Sequence, residues 1–292
     1  MEHTDTVMHF TLAGGAVRGL LIRSTQTARE AQRLHQASAV AAAALGRALT
    51  ATAMLAAVLK EPDASVTLTV DGDGPLGKIL CVGDGETVRG LVDRPAVRLP
   101  LRDGRLDVGR AVGRHGRLSV VKDLRLKTPY VGQVELRSGE IAADLAYYYV
   151  QSEQSPSLVS LGVTASDTEV STAGGVLLQP LPDCPDPVID ELELRSPIFG
   201  DIASELVHET PDTLLRTWFH GLEPVKLSET PLAYRCPCSR TRMERALISL
   251  GEEELKRMIA DEVDGAELVC HFCNQKYAFT THDLLRILNR IC

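Results

Sequence analysis

The longest apolar segment of the chain runs from Ala37 to Leu59 and consists mainly of alanine. A helix over these 23 residues would be about 35 Å long, at a rise of roughly 1.5 Å per residue. Arg47 lies near its middle, and a central arginine costs about 2.5 to 3.5 kcal/mol on membrane-insertion scales. Its alanine-rich neighbours do not offset that cost. The segment is therefore predicted to be a buried helix of a soluble domain.

Short segments with strand character surround this helix. Ser65 to Val70 alternates apolar and polar residues, and a cluster of aspartate, glycine and proline at 71–75 separates it from a second strand at Lys78 to Val82. The same criteria predict further elements: strands at Ala16 to Arg23, Leu118 to Leu124 and Gln133 to Leu136, a hairpin through Ser138 and Gly139 into Glu140 to Ala142, and a helix from Ala143 to about Gln154. The pattern predicts a large N-terminal α+β domain.

The composition changes near Leu181. From Asp183 to Asp212 there are nine acidic residues and one basic residue, Arg195, and many aliphatic residues lie among them. A segment that is both self-repelling and apolar folds only if something covers its apolar face, so its stability is predicted to be marginal. The alternative is an ordinary acidic helical connector. The segment is predicted to be an acidic, helical linker over residues 181–234.

Four cysteines form two close pairs near the end of the chain. Cys236 and Cys238 are separated by Pro237, and Cys270 and Cys273 follow after a gap of 31 residues. Two short-range thiolate pairs brought together by an intervening segment match a tetrahedral zinc site. The sequence therefore predicts a zinc-binding domain over residues 235–292, in which the metal supplies much of the folding free energy.

The spacing around the cysteines indicates how the two pairs meet. Ser239 is placed to cap a helix with Met243, Ala246, Leu247 and Leu250 on one face, and a short helix follows at Glu252 to Ala260. Glu267 to Val269 and Tyr277 to Phe279 then form a hairpin with the second cysteine pair at its tip. A last helix begins near Thr281, with Leu284, Ile287, Leu288 and Ile291 on one face.

The chemistry of the four sulfurs has two interpretations that the pattern alone leaves open. Most four-cysteine sites are purely structural. A disulfide across Cys236 and Cys238 would close a very small ring, and strained disulfides are easily reduced and often regulatory. His271, between two ligands, is expected to face solvent, and the remaining cysteines have no partner spacing: Cys81, Cys184 and Cys292.

Composition narrows the class of protein. The formal net charge of −8 disfavours a general nucleic-acid binder, because phosphate contacts need a basic face. The first ten residues have neither a basic start nor an apolar stretch, so no secretory signal is expected, and seven cysteines without export favour metal or redox chemistry in the cytoplasm. No catalytic constellation is recognisable, so an enzyme is not expected.

Several segments together resemble the heat shock protein 33 family of redox-regulated chaperones, over the whole chain. The segments that carry the resemblance are Cys236-Pro237-Cys238-Ser239-Arg240, Val269-Cys270-His271-Phe272-Cys273 followed by Tyr277 and Phe279, Gln151 to Ser157 leading to Leu161-Gly162-Val163, and Gly174 to Pro182. The resemblance implies an ATP-independent holdase that is inactive while reduced and zinc-bound, with Cys236, Cys238, Cys270 and Cys273 as ligands.

The resemblance also implies how the protein is activated. Oxidation would form the disulfides Cys236–Cys238 and Cys270–Cys273, zinc would leave, and the zinc domain and linker would unfold. The exposed surface would bind unfolding client proteins, and a homodimer of the oxidised form is compatible with it. The implied division is 1–180 as core domain, 181–234 as metastable linker and 235–292 as zinc domain.

Two rival functions follow from the same residues. The first is a zinc-ribbon nucleic-acid adaptor that presents Arg240, Arg242 and Arg245 to phosphate, although neighbouring glutamates offset these charges. The second is a thiol-disulfide oxidoreductase, which is disfavoured because Cys270 and Cys273 are predicted on a hairpin and not at the start of a helix. No membrane partner is expected.

Overall fold

The structure, a computed structural model, describes residues 4–61, 63–261 and 265–290. The chain divides into two compact units, the first ending at Arg235 and the second beginning at Cys236. Both combine helices with antiparallel sheet. The α+β prediction is therefore confirmed.

The first unit is built around helix α2, Ala39–Ala57. The Ser38 hydroxyl accepts a hydrogen bond from the Ala41 amide and caps its N-terminus. This helix is long and apolar enough to cross a membrane, but 89% of its most apolar window is buried inside the unit. Arg47 is accommodated because its guanidinium contacts the Glu140 carboxylate at 2.5 Å. The prediction of a buried core helix is confirmed.

One face of α2 packs against a five-stranded antiparallel sheet with the strand order β10-β1-β2-β9-β8. The buried aliphatic residues of its inner face join α2 in the main core. Its strands are β1 Thr6–Leu12, β2 Val17–Arg23, β8 Leu158–Ala165, β9 Val170–Pro180 and β10 Val225–Pro231.

A second, six-stranded sheet covers another side of α2 and has the order β11-β5-β4-β3-β6-β7. Its pairs are antiparallel except for β11, which lies parallel to β5. Its strands are β3 Ser65–Gly72, β4 Lys78–Gly83, β5 Thr87–Val92, β6 Gly116–Asp123, β7 Tyr130–Glu135 and β11 Ala233–Tyr234.

Three further helices complete the core of the first unit: α1 Thr25–His35, α3 Val108–Val112 and α4 Ala142–Gln151. The predicted hairpin return at Glu140 to Ala142 is wrong, because this segment leads into α4. The buried Asp144 carboxylate accepts hydrogen bonds from the amides of Arg137, Ser138 and Ile141 and so fixes a tight turn before the helix. Local turn residues suggested a hairpin, but the carboxylate three residues into α4 decides the outcome.

The acidic segment folds as three helices: α5 Asp186–Phe199, α6 Ile202–His208 and α7 Pro211–Trp218. Its apolar side chains form a separate cluster with the outer face of the five-stranded sheet. Phe199 lies 5.4 Å from both Trp218 and Phe219, and Phe219 lies 5.3 Å from Phe10 of β1, measured between ring centroids. The acidic side chains mostly face solvent. The predicted helical character and the need for a covering surface are both seen.

Two arginines fasten these helices. The buried Arg23 of β2 donates a hydrogen bond of 2.6 Å to the Glu209 carbonyl at the end of α6. Arg195 of α5 donates to the carbonyls of Trp218 and His220, both at 2.9 Å. The only base of the acidic stretch therefore joins α5 to the end of α7.

A pair of glycines brings α6 close to the sheet. Gly162 of β8 lies directly opposite Gly174 of β9 in the strand register. A methyl group at Gly162 would lie 2.8 Å from the Ala203 nitrogen and 2.9 Å from Ile202 Cγ2, both in α6. Side chains at this position would hold the helix away from the sheet. The glycine therefore permits the close docking of α6.

The second unit contains three helices and one hairpin: α8 Arg240–Leu250, α9 Glu252–Asp261, β12 Ala266–Val269, β13 Lys276–Phe279 and α10 Thr281–Leu288. All five elements were predicted, with Ser239 as the cap of α8. Leu247, Leu284 and Ile287 are buried as expected, whereas Leu250 is exposed. Ile291 lies outside the described residues.

We predict that Gly162→Ala weakens the docking of α6 by about 1–3 kcal/mol, because the added methyl overpacks the contact with Ala203. Hydrogen exchange measured by mass spectrometry should show faster exchange across α6 while α2 keeps its protection.

Gly200→Ala is the matched control for this experiment. Gly200 has helical backbone angles, and a methyl there would meet only the Pro197 carbonyl oxygen, at 3.3 Å. This control should change the exchange of α6 little. Equal exchange in the two variants would show that Gly162 does not set the docking distance.

Candidate metal centre

The first cysteine pair lies between β11 and α8. The Ser239 hydroxyl accepts a hydrogen bond from the Arg242 amide, so α8 begins directly after Cys238. The Arg242 guanidinium donates to the Pro237 carbonyl at 3.1 Å. The helix start and this contact hold the Cys-Pro-Cys segment in a compact turn.

The second cysteine pair lies at the tip of the β12–β13 hairpin, as predicted. Val269 pairs with Lys276, the Cys270 amide donates to the Gln275 carbonyl at 2.9 Å, and the Asn274 amide donates to the Cys270 carbonyl at 2.7 Å. Asn274 has a positive φ of 58°, a conformation that asparagine tolerates better than most residues. The tight turn places Cys270 and Cys273 on the same side.

The four sulfurs meet in one cluster. All four lie within 4.8 Å of one another, with Sγ–Sγ distances of 3.6 Å between Cys236 and Cys270 and 3.4 Å between Cys238 and Cys273. A tetrahedral zinc ion with Zn–S bonds of about 2.3 Å requires sulfurs about 3.8 Å apart. The donor set and its spacing therefore fit a four-thiolate zinc ion, and the arrangement is one that could hold a metal.

A tyrosine hydroxyl completes the surroundings of the cluster. The Tyr277 hydroxyl donates to the sulfur of Cys238 at 3.1 Å. Burial alone would raise the pKa of the Cys238 thiol, but the hydrogen bonds from Tyr277 and the neighbouring thiols outweigh it, so the pKa lies below its usual value. The same hydrogen bond raises the pKa of Tyr277 to about 12. Sequence reasoning assigned Tyr277 only to a strand and missed this contact.

The apolar core of the second unit is small. Its buried members are Leu247, Leu255, Ala266, Phe279, Leu284 and Ile287. Arg240 stacks 4.3 Å above the Phe279 ring and pairs with Asp283 at 2.8 Å. Domains of this size seldom reach stability from such a core without a disulfide or a metal. The fold of this unit therefore depends on what joins the four sulfurs.

The other residues considered in the sequence lie away from the cluster. Cys81 is buried in the main core, where burial raises the pKa of its thiol, and Cys184 lies half-buried against the cluster beneath the linker helices. His271 is exposed, as expected. Cys292 lies outside the described residues. Two of the three arginines of the nucleic-acid alternative, Arg240 and Arg242, are engaged within the unit.

The fold and the site together define an α+β protein with a small four-cysteine module at its C-terminal end. The model of the Hsp33 protein family matches residues 5–280. The chain therefore belongs to the Hsp33 family.

Relatives along the full length agree with this assignment. The 33 kDa chaperonin of Acetivibrio thermocellus is 43% identical over 98% of each chain, and that of Caldanaerobacter subterraneus subsp. tengcongensis is 44% identical over 97% of this chain and 98% of its own. The crystal structure of the 33 kDa chaperonin from Thermotoga maritima superposes with a TM-score of 0.90, at 34% identity and 99% coverage of both chains. The resemblance to the family is confirmed.

We predict that Tyr277→Phe weakens zinc binding by about 10- to 100-fold, the usual effect of losing a hydrogen bond to a metal ligand. Competition with a chromophoric zinc chelator measures the change. Tyr130→Phe is the matched control, because the Tyr130 hydroxyl contacts Ser152 in the first unit. Unchanged zinc affinity in Tyr277→Phe would show that this hydroxyl does not support the site.

Proposed function

We propose that this protein is a redox-regulated, ATP-independent holdase of the cytoplasm, activated when its zinc-bound cysteines are oxidised. The observation that carries the proposal is the cluster of Cys236, Cys238, Cys270 and Cys273, with all four sulfurs within 4.8 Å. Family membership and the chaperonin relatives support the holdase part of the proposal.

The first step is the chemistry of the four sulfurs. Bound zinc would keep them as thiolates, the form that oxidants attack most readily. Peroxide converts one thiol into a sulfenic acid and leaves as water. A neighbouring thiol then condenses with the sulfenic acid, which forms a disulfide and releases a second water. We propose the pairs Cys236–Cys238 and Cys270–Cys273, which leave no thiolate to hold a metal.

The second step is the loss of the small C-terminal fold. Six buried residues form its core, and structural zinc contributes on the order of 10 kcal/mol or more to modules of this kind. Removing four donors removes that contribution. Residues 235–292 are therefore proposed to unfold on oxidation.

The third step is the release of the acidic linker. Its last strand, β11, ends two residues before Cys236, so disorder in the module passes directly into it. The linker carries a net charge of −8 between residues 183 and 212 and repels itself, and it stays folded through its contacts with the sheet. We propose that residues 181–234 then leave the core domain of residues 1–180.

The fourth step is client binding. Undocking of α5–α7 uncovers the outer face of the five-stranded sheet, with Met8, Phe10, Leu12, Val176 and Leu178. An apolar patch of this kind on a folded scaffold is the surface that binds unfolding polypeptides. The proposed activity is binding without turnover, with unfolded proteins as partners and no role for nucleic acid. Uncovering the same face also permits a homodimer of the oxidised form.

We predict that only the peroxide-treated protein suppresses the aggregation of a heat-denaturing model protein. Light scattering reports aggregation, and a zinc indicator read in parallel should show metal release in step with activity. Cys184→Ser is the matched control and should behave as the wild type, because Cys184 lies outside the cluster. Equal suppression by the reduced and oxidised forms would refute the redox control.

Chelation provides a separate test of the coupling between metal and fold. Stripping the reduced protein with a strong chelator should lower the helical circular dichroism signal by the share contributed by α8, α9 and α10, because metal binding and folding are one free energy in such a module. Adding zinc back should restore the signal. An unchanged spectrum after complete zinc removal would contradict the proposed coupling.

A further inference from the structure

The two edge strands of the five-stranded sheet differ in how they are protected. β10 forms one edge and carries Lys226, Glu229 and Pro231, with a bulge opposite His9 and Phe10. Charges, prolines and bulges are the devices by which natural sheets prevent pairing with other chains. β8 forms the other edge, and its eight residues include neither a charged residue nor a proline. Only β10 is protected against strand addition.

The register shows which backbone groups of β8 point outward. Successive residues of an antiparallel strand direct their N–H and C=O groups to opposite sides. The Ala173 carbonyl of β9 accepts from Ser24 on the β2 side, so Gly174 of β9 faces β8 and pairs with Gly162. The even-numbered residues of β8 therefore bond to β9.

The odd-numbered residues Val159 and Leu161 direct their backbone groups away from the sheet. Across residues 4–61, 63–261 and 265–290, no backbone hydrogen bond joins either of them to a helix or loop. Leu161 is nevertheless only 6% exposed. A backbone amide in such surroundings gains from a partner.

An apolar groove of about 490 Å³ lies beside this edge. Ala146 and Val150 of α4 form one wall, Ile189 and Leu192 of α5 form the other, and Val159 lies at its base. Glu193 of α5 lies at the rim and is exposed. The groove therefore combines aliphatic walls, a free strand edge and a negative rim.

We propose that β8 binds an extended apolar segment of an unfolding polypeptide with basic flanking residues, by adding it as a further strand in this groove. Main-chain hydrogen bonds to Val159 and Leu161 would hold the segment, as in other cases of strand addition. Apolar side chains would enter between α4 and α5, and basic flanks would match Glu193 and the acidic linker.

This inference rests on the proposed function in one respect. Because α5 belongs to the segment proposed to undock, oxidation removes one wall and opens the groove along β8. The oxidised protein should therefore bind such segments more tightly than the reduced protein. The outer sheet face and the β8 edge then act side by side, the first on apolar side chains and the second on the backbone.

The test uses a fluorescent peptide as long as β8, alternating valine and threonine, with lysines at both ends. A second peptide carries ester bonds in place of the central amides, which removes its N–H donors and keeps its side chains. Fluorescence anisotropy with the oxidised full chain should show about tenfold or more weaker binding of the ester peptide, as expected for the loss of a few backbone hydrogen bonds. Equal affinities would overturn the proposal.

Variants locate the site. Val159→Pro removes an outward N–H at an edge position, where proline is tolerated, and should reduce binding of the amide peptide to the level of the ester peptide. Val159→Thr keeps the N–H and should bind as the wild type. Val150→Lys should weaken binding, whereas Leu227→Lys, a similar change on β10 at a side chain that is 62% exposed, should not. Replacing the terminal lysines of the peptide by glutamates should weaken binding at low salt.

Hydrogen exchange keeps the test decisive if a variant folds poorly. Peptide binding to the wild-type chain should slow exchange across β8 and leave β10 unchanged. Protection of β10 alone would overturn the assignment. The outcomes separate the two proposals: aggregation suppression with equal amide and ester affinities refutes strand addition only, whereas amide-selective binding without oxidant-dependent suppression refutes the redox holdase only.

Discussion

The meeting of four sulfurs from two distant parts of the chain is the constraint on which the rest of the protein depends. A capped helix start positions one cysteine pair, a hairpin tip positions the other, and the core behind them has six buried residues. A core of that size leaves little stability without a cross-link. The chemistry at the sulfurs therefore determines whether the C-terminal module is folded.

The acidic linker turns the state of the module into exposure of surface. Its helices hold their place through aromatic contacts with the sheet, the close approach at Gly162, and the hydrogen bond from Arg23 to the Glu209 carbonyl. Each contact opposes the mutual repulsion of its carboxylates. A segment balanced in this way is suited to leave when its C-terminal support is lost, and the sheet beneath it is stable by virtue of α2 and the main core.

Several features of the fold were accessible from local sequence because they depend on neighbours in the chain. The alternation in β3 and β4, the apolar run of α2, the Ser239 cap and the hairpin between Val269 and Lys276 are all set by residues close in sequence. The predicted strand at Glu140 to Ala142 was wrong for a related reason. The glycine turn looked like a hairpin, while the Asp144 carboxylate that organises it belongs to the following helix.

The sequence by itself determined the class of the protein: a buried core helix, a self-repelling apolar linker, and two cysteine pairs with the spacing of a metal site. Tertiary structure decided which surfaces these elements share. The pairing of Gly162 with Gly174, the Tyr277 hydroxyl on Cys238 and the unprotected edge of β8 join residues far apart along the chain. Periodicity reports which face of an element is apolar, but not which partner covers it, since that choice depends on long-range packing.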